Sequence, residues 1–225
     1  MGTITRNAAN NFTTGGVILP AAINDASVAS LTELENVAAG GAMNLISEQT
    51  ASASSSIDFT SGIDSTYPIY RFEFINIHPS STSRIDFHFN GSTDSGSNYN
   101  VTKTTTVFRA YHFENDSGTT LDYDTGNDLA QSTSYQEFYN SANYDNDGNG
   151  CGHMYLYNPS STTFVKHFMT CFNNDGRTSG GDIYSLNEYV AGYFNTTNSI
   201  DAMDFKFASG NIDSGTIKLY GIKGD

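Results

Sequence analysis

From about residue 57 onward, apolar and polar residues alternate with a period of two in seven short runs. The runs are YRFEFINI (70–77), RIDFHFN (84–90), TTVFRAYHF (105–113), GHMYLYN (152–158), TFVKHFMTCF (163–172), AMDFKF (202–207) and GTIKLYGI (215–222). Successive side chains of a β-strand point to opposite faces, so the alternation predicts strands that bury one face. Turn-forming clusters such as NGSTDSGSN and NPSSTT separate the runs, a spacing that is typical of an antiparallel sandwich or barrel. We predict an all-β antiparallel sandwich.

The aromatic residues indicate what fills the core of this sandwich. The chain has 15 Phe and 14 Tyr but no Trp. Tyrosine carries a hydroxyl that needs a partner or water, whereas phenylalanine does not. We therefore predict a core dominated by phenylalanine, with tyrosines reaching its rim.

The charge of the chain disfavours two classes of partner. Ten Lys and Arg stand against 24 Asp and Glu, which gives a net charge of -14. Nucleic-acid binding needs a basic stripe, and adhesion to an anionic membrane needs basic residues too, so we expect neither. The first residues lack the features of a signal peptide, and no apolar run approaches the roughly 18 residues of a membrane span. We expect no membrane insertion.

The first 50 residues follow a different pattern from the rest. The segment NDASVASLTELENVAAGG places Val28, Leu31 and Leu34 at helical spacing, and a Gly-Gly pair would end the helix. So few apolar residues cannot form a core alone, and we expect them to dock on the main domain or on a partner. We divide the chain into an N-terminal arm with one short helix, residues 1–50, and a sandwich domain, residues 51–225.

Four segments carry a resemblance to a known family. They are LISEQTASASSSIDFTSGIDSTYPIYRFEF, FNGSTDSGSNYN, YNPSSTTFVKHF and YVAGYFNTTNSIDAMDFKFASGNIDSGTIKLYGIK, within residues 43–225. These segments resemble small β-rich virion structural proteins of tailed bacteriophages, especially those of marine and cyanobacterial phages. The resemblance implies a jelly-roll-like sandwich exposed on the particle, in a fibre, an appendage or a capsid decoration. It also implies that the protein resides in the host cytoplasm before assembly.

The resemblance also implies which partners the protein would have. Through the arm, the protein would contact other virion proteins. Its copies would form a symmetric homo-oligomer, and the family analogy suggests a trimer. The resemblance supplies no catalytic motif.

One acidic turn matches part of a calcium-binding loop. The sequence DNDGNG begins at Asp145 and places oxygen ligands at Asp145, Asp147 and Asn149, with a glycine at the sixth position. The twelfth position, where a glutamate should complete the shell, is Leu156, and the flanking runs read as strands, so an EF-hand is excluded. A looser Ca²⁺ turn and an ordinary turn between strands both remain open. We expect no other cofactor.

The two cysteines face each other if PSSTT (159–163) is a hairpin loop, because Cys151 then lies opposite Cys171. A cross-strand disulfide, a zinc site and two free buried thiols are the alternatives. A Cys₂His₂ zinc site fails because His167 lies roughly 13 Å along the strand from Cys171, too far for one tetrahedral shell. The disulfide and the free thiols remain open.

Motifs for catalysis are missing from the sequence. No G-x-S-x-G, S-x-x-K or H-E-x-x-H motif is present, and no pair of carboxylates is marked out for glycoside hydrolysis. His88 shares its predicted strand face with Arg84 and Asp86, and we interpret this face as the polar outside of a sheet. We expect a protein that is not an enzyme.

Glycan binding is the alternative to a purely structural role. Sugars dock on exposed aromatic rings flanked by Asn and Asp. Four tyrosines stand in Asp-, Asn- and Ser-rich stretches that we interpret as exposed loops, and we regard them as candidate glycan contacts: Tyr123, Tyr139, Tyr144 and Tyr184. The same rings could instead cover the ends of the sandwich. The primary hypothesis is a structural virion protein, and the alternative is a carbohydrate-binding, host-receptor module of a tail fibre.

Overall fold

A computed structural model describes residues 43–223. These residues form twelve strands joined by turns and loops: β1 (Met43–Thr50), β2 (Ile57–Phe59), β3 (Ile69–Pro79), β4 (Ile85–Ser92), β5 (Lys103–Phe113), β6 (Thr119–Tyr123), β7 (Gln136–Ala142), β8 (Gly150–Tyr157), β9 (Lys166–Arg177), β10 (Ile183–Phe194), β11 (Ala202–Phe207) and β12 (Ile212–Ile222). Within this range every strand pairing is antiparallel, which confirms the all-β prediction. The described residues include no helix long and apolar enough to cross a membrane. The helix predicted through Val28, Leu31 and Leu34 lies outside them.

The strands pair in two arrays that meet at one point. The first array has the order β1-β12-β3-β8-β9-β10-β5-β6, and the second has the order β2-β11-β4-β7. A single residue pair, Ala142 of β7 with Gly176 of β9, joins them. Near the other edge, Gln49 Nε2 of β1 donates a hydrogen bond to the Asp58 carbonyl of β2 at 2.6 Å. The sheet therefore nearly closes upon itself.

Phenylalanines from both arrays form the core. The Phe74 ring of β3 lies 4.9 Å from the ring of Phe138 on β7, and 5.0 Å from those of Phe172 on β9 and Phe205 on β11. Fully buried phenylalanines dominate the interior, as predicted. Tyr70 is also fully buried and does not reach a rim; its hydroxyl donates to the Asp64 carbonyl at 3.0 Å.

All seven alternating runs overlap strands, but five further strands were not predicted. One of them, β1, falls in the segment assigned to the arm. It pairs with β12 from Met43 opposite Ile222 to Thr50 opposite Thr216. Residues 43–50 therefore belong to the sheet.

The predicted register of the β8–β9 hairpin is wrong by two residues. Cys151 lies opposite Asn173, and Cys171 lies opposite His153. The reason is that the loop between the strands is longer than the predicted PSSTT loop. The last residue pair before the loop is Leu156 with Phe168, and the chain turns at Asn158, whose φ is 45°. A two-residue shift keeps both cysteines on one face but places them diagonally, about 7–8 Å apart, beyond the usual reach of a disulfide. Both thiols are free, that of Cys151 exposed and that of Cys171 half-buried.

Candidate functional site

The outer face of strands β8, β9, β10, β5 and β6 carries an unusual number of exposed aromatic and apolar side chains. We call this surface the aromatic face; it comprises His153, Tyr155, Tyr157, His167, Met169, Tyr189, Tyr193, Phe108, Leu121 and Tyr123. Phe108 is 46% exposed, Met169 53% and Leu121 76%. Large apolar side chains that are exposed together, in register, indicate a contact surface.

The strand register orders the aromatic face into rows. In one row, Tyr189 of β10 lies opposite Phe108 of β5, which lies opposite Tyr123 of β6. The Phe108 and Tyr189 rings stack with centroids 4.7 Å apart and planes 9° apart. Such cross-strand aromatic pairs stabilise a sheet and hold the side chains in fixed orientations.

A shallow depression of about 410 Å³ lies beside this row. Its lining includes Tyr157, His167, Met169, Ala191 and Tyr193, and Ala191 lies opposite Met169 in the strand register. The small Ala191 side chain leaves space between two rows of large ones. The His167 and Tyr193 rings lie 5.9 Å apart. An apolar floor with aromatic and hydroxyl-bearing walls can receive a ring that has one apolar and one polar side, as a sugar has.

An ion pair holds the β8 side of the aromatic face in place. Arg71 of β3 pairs with Glu73, and its Nη1 donates to the Tyr155 hydroxyl at 2.7 Å. Its guanidinium also lies 5.1 Å from the centre of the Tyr155 ring. Burial, with a smaller effect of the Arg71 charge, lowers the pKa of His153. The lowered pKa favours the uncharged form of the His153 imidazole.

Two of the tyrosines predicted to contact glycans are interior residues. Tyr139 is fully buried in β7 and packs on the rings of Phe87 and Phe172, so its assignment to an exposed loop is wrong. Tyr184, at the start of β10, is only 9% exposed and packs against Tyr111. Neither ring is free to stack on a sugar.

The other two predicted tyrosines lie on separate surfaces. Tyr123 belongs to the aromatic face, and its hydroxyl donates to Asp128 Oδ2 at 2.7 Å. Tyr144 is half-buried beneath the Arg177 guanidinium, 4.8 Å from the centre of its ring. The site thus uses only one of the four, and its main aromatic residues come from strands. Their period-two spacing, as in Tyr155 and Tyr157, was the signal in the sequence that could have found them.

The turn predicted to bind calcium is closed by protein groups. The Asp145 carboxylate pairs with Arg177, and the Gly148 N–H donates to the Asp145 carbonyl at 2.8 Å. Asn149 donates its backbone N–H to Asp175 Oδ1 at 2.8 Å and its side-chain amide to the Asp147 carbonyl at 3.1 Å. These contacts describe an ordinary turn between β7 and β8. Calcium binding at Asp145, Asp147 and Asn149 remains a prediction.

Two carboxyl groups with strongly perturbed pKa values lie inside the protein. Burial, together with the charges of Asp124 and Glu137, raises the pKa of Glu188 to about 8. Burial and a hydrogen bond with Asp58 raise the pKa of Asp204, which accepts a hydrogen bond from the Tyr135 hydroxyl at 2.5 Å. Glu188 is 0% exposed and Asp204 is 3% exposed.

Comparison of the chain with protein-family models, with curated proteins and with solved structures finds no match.

Proposed function

We propose that this chain is a non-enzymatic structural protein of a tailed-phage particle, built as a jelly-roll sandwich and exposed as a fibre, an appendage or a capsid decoration. The observation that carries the proposal is the strand order. A jelly roll pairs its eight strands, in chain order, as first-eighth-third-sixth in one sheet and second-seventh-fourth-fifth in the other. With the β5–β6 and β9–β10 hairpins taken as insertions, the orders β1-β12-β3-β8 and β2-β11-β4-β7 follow that scheme. Jelly rolls recur in viral capsid proteins and in lectins.

Contacts between the arrays support a two-layer sandwich. The Phe72 ring of β3 lies 5.1 Å from that of Phe205 on β11 and 5.4 Å from that of Phe59 on β2. These pairs join the first array to the second through side chains, as in two sheets packed face to face. The two inserted hairpins widen the first sheet beyond the second and create the aromatic face.

The placement of the perturbed carboxyls supports a role without catalysis. A catalytic acid or base must come within hydrogen-bond distance of its substrate. Glu188 and Asp204 have the raised pKa values that often mark active sites, but both are enclosed by the protein. Their pKa values are raised mainly by burial among neighbouring protein groups.

We propose that the N-terminal arm attaches the protein to the particle. We propose that Val28, Leu31 and Leu34 dock on another virion protein and that copies of the chain assemble as a homo-oligomer, with threefold symmetry by family analogy. The test compares the full chain with one lacking residues 1–42, each supplied during phage assembly. We expect the truncated protein to remain folded and to be absent from purified particles. Incorporation of both proteins to the same level would contradict this role of the arm.

Carbohydrate binding is a second candidate function, and the depression between Tyr157 and Tyr193 favours it. Both tyrosines are half-buried, so their rings are held in place, and the apolar floor suits the C–H face of a sugar. We propose host-surface glycans as the ligand. A structural protein of a tail fibre can carry such a site, so the two functions are compatible.

A glycan array tests this second function. We expect saturable binding that Tyr193→Ala abolishes. Tyr220→Ala is the matched control, because Tyr220 lies on the same outer sheet face, four strands from β10 and thus about 19 Å from Tyr193. No binding across the array, or equal loss in both variants, would count against a glycan site in the depression.

A further inference from the structure

A second group of chemically active side chains lies on the opposite array, away from the aromatic face. Asp86 and His88 alternate along β4 and so share its outer face, and Glu137 of β7 lies directly opposite His88. One ligand atom from each of the three residues lies within 4.8 Å of the others. The strand register therefore brings one imidazole and two carboxylates together.

Two atoms of this group lack a partner within the described part of the chain. His88 Nε2 and Glu137 Oε2 are both shielded from solvent and form no hydrogen bond there. His88 Nε2 lies 3.7 Å from Glu137 Oε1, which is too long for a hydrogen bond. Enclosed polar atoms without a protein partner are uncommon in folded proteins, and where they occur they often bind an ion or a water molecule.

The neighbouring cations are directed elsewhere. Arg84 Nη1 donates to Ser141 Oγ at 3.2 Å, and the Lys206 ammonium, opposite His88 on β11, lies 3.9 Å from the centre of the Tyr135 ring. Among residues 43–223, neither Asp86 nor Glu137 forms an ion pair with a lysine or arginine. Two carboxylates this close repel each other, and a divalent cation between them would remove the repulsion.

We propose that Asp86, His88 and Glu137 form a binding site for a divalent cation of the zinc class. Imidazole nitrogen and carboxylate oxygen are both ligands of Zn²⁺, and a tetrahedral shell with bonds of about 2.0–2.2 Å separates its ligand atoms by about 3.3–3.6 Å. The 3.7 Å approach of His88 to Glu137 is close to that separation. Small side-chain rotations would bring the three ligand atoms to the distances of a tetrahedral shell.

A backbone contact prepares the third ligand. Asp86 Oδ1 accepts a hydrogen bond from the Ser141 N–H at 2.9 Å, which orients the carboxylate and leaves Oδ2 for the metal. Such support of a ligand by an outer hydrogen bond is common in metal sites. Three protein ligands leave a fourth position for water. The bound ion would join β4 to β7, where their register shifts between Phe87 and His88.

Zinc titration of the full chain tests the proposal. The parent protein carries Cys151→Ser and Cys171→Ser, because free thiols bind zinc on their own. We expect calorimetry to show one zinc ion per chain, and saturating zinc to raise the Tm by about 5 °C or more. A parent protein with neither saturable heat nor a shift in Tm would overturn the proposal.

Matched variants locate the ion. We expect His88→Gln and Glu137→Gln, each made in the parent protein, to weaken zinc affinity about tenfold or more. His112→Gln is the control: His112 Nε2 lies 3.1 Å from Asp116 Oδ1, but this exposed pair belongs to no three-residue group among the described residues. Circular dichroism checks that each variant is folded, and Asp86→Asn replaces either variant that is not. Zinc affinity that these ligand variants leave unchanged, or that falls equally in His112→Gln, would overturn the proposed site.

Discussion

At the scale of single residues, the core contains ionisable groups that the sequence pattern did not mark. Glu188 has a raised pKa because it is buried on the inner face of β10. A carboxyl whose pKa is higher in the folded state than in the unfolded state binds its proton more tightly when folded. Its contribution to stability is therefore complete at low pH and is lost as the pH rises.

This linkage predicts the pH dependence of stability. The ordinary pKa of a glutamate is 4.5, and the pKa of Glu188 in the folded protein is about 8. As the pH rises from 4.5 to 8, ionisation of Glu188 should lower the unfolding free energy by up to about 5 kcal/mol. Glu188→Gln cannot ionise, so the variant should lose less stability than the wild type over this range and should be the more stable of the two at pH 8. Urea unfolding at several pH values measures the difference. Glu114→Gln, at an exposed site, is the control, and parallel profiles for Glu188→Gln and the wild type would contradict the assignment.

A close contact at Gly221 gives a second prediction at this scale. A Cβ atom added to Gly221 would lie 2.2 Å from Cδ2 of Tyr67, whereas one added to Gly118 would meet its nearest neighbour at 4.0 Å. We expect Gly221→Ala to destabilise the fold by about 1–3 kcal/mol, because Tyr67 must move. Gly118→Ala should change the stability little. Thermal unfolding of the two variants side by side measures this, and equal Tm values would show that Tyr67 does not cover Gly221.

Candidate site residues were only partly predictable from the sequence. Asp86 and His88 were correctly placed on one polar face, because a two-residue spacing within one strand fixes the face. The sequence did not indicate that Glu137 lies beside them. Glu137 is 49 residues after His88 in the chain, and only the pairing of β4 with β7 brings the two together. Tyr139 was misplaced because it lies beside a bulge, where Phe138 and Tyr139 are both buried and the alternation fails.

At the scale of strands, the strands that were predicted correctly are those in which apolar and polar residues alternate regularly. The run that became β11 was bounded correctly at both ends, Ala202 and Phe207. The strand β10 was missed because its inner face includes Glu188 and Gly192, which do not read as apolar positions. Hydrophobic periodicity cannot identify a buried face that contains a charge and a glycine.

The register of the β8–β9 hairpin can be tested with a disulfide. His153 lies opposite Cys171, and directly opposed residues in an antiparallel pair have Cα atoms about 4.5–5.5 Å apart, within the range of disulfides. We expect His153→Cys, combined with Cys151→Ser, to form a disulfide with Cys171 on mild oxidation. The wild type should keep both thiols under the same conditions. Mass spectrometry distinguishes the outcomes, and a disulfide in the wild type alone would support the register in which Cys151 opposes Cys171.

At the scale of the whole molecule, the strand order could not be derived from local pattern. The pairings of β1 with β12 and of β2 with β11 join residues more than 140 positions apart. An alternating run predicts a strand but does not determine which distant strand it pairs with. The sequence therefore indicated sheet structure but not the order of the strands. The hairpins β5–β6 and β9–β10 became visible as additions to one sheet only through the pairing of β10 with β5.

The same architecture connects the proposed functions. The first array carries the aromatic face, for which we propose glycan contact, and the second array carries the proposed cation site. The net charge of -14 suits a protein that is exposed at high copy number, because like charges keep copies soluble before assembly.

The central claim is that this protein is part of a tailed-phage particle. The most direct measurement is immunogold electron microscopy of purified phage particles, with antibodies raised against residues 43–223. We predict labelling at one structural location on each particle, such as the fibres or the capsid surface. Particles that remain unlabelled, and that yield no peptides of this chain by mass spectrometry, would contradict the account.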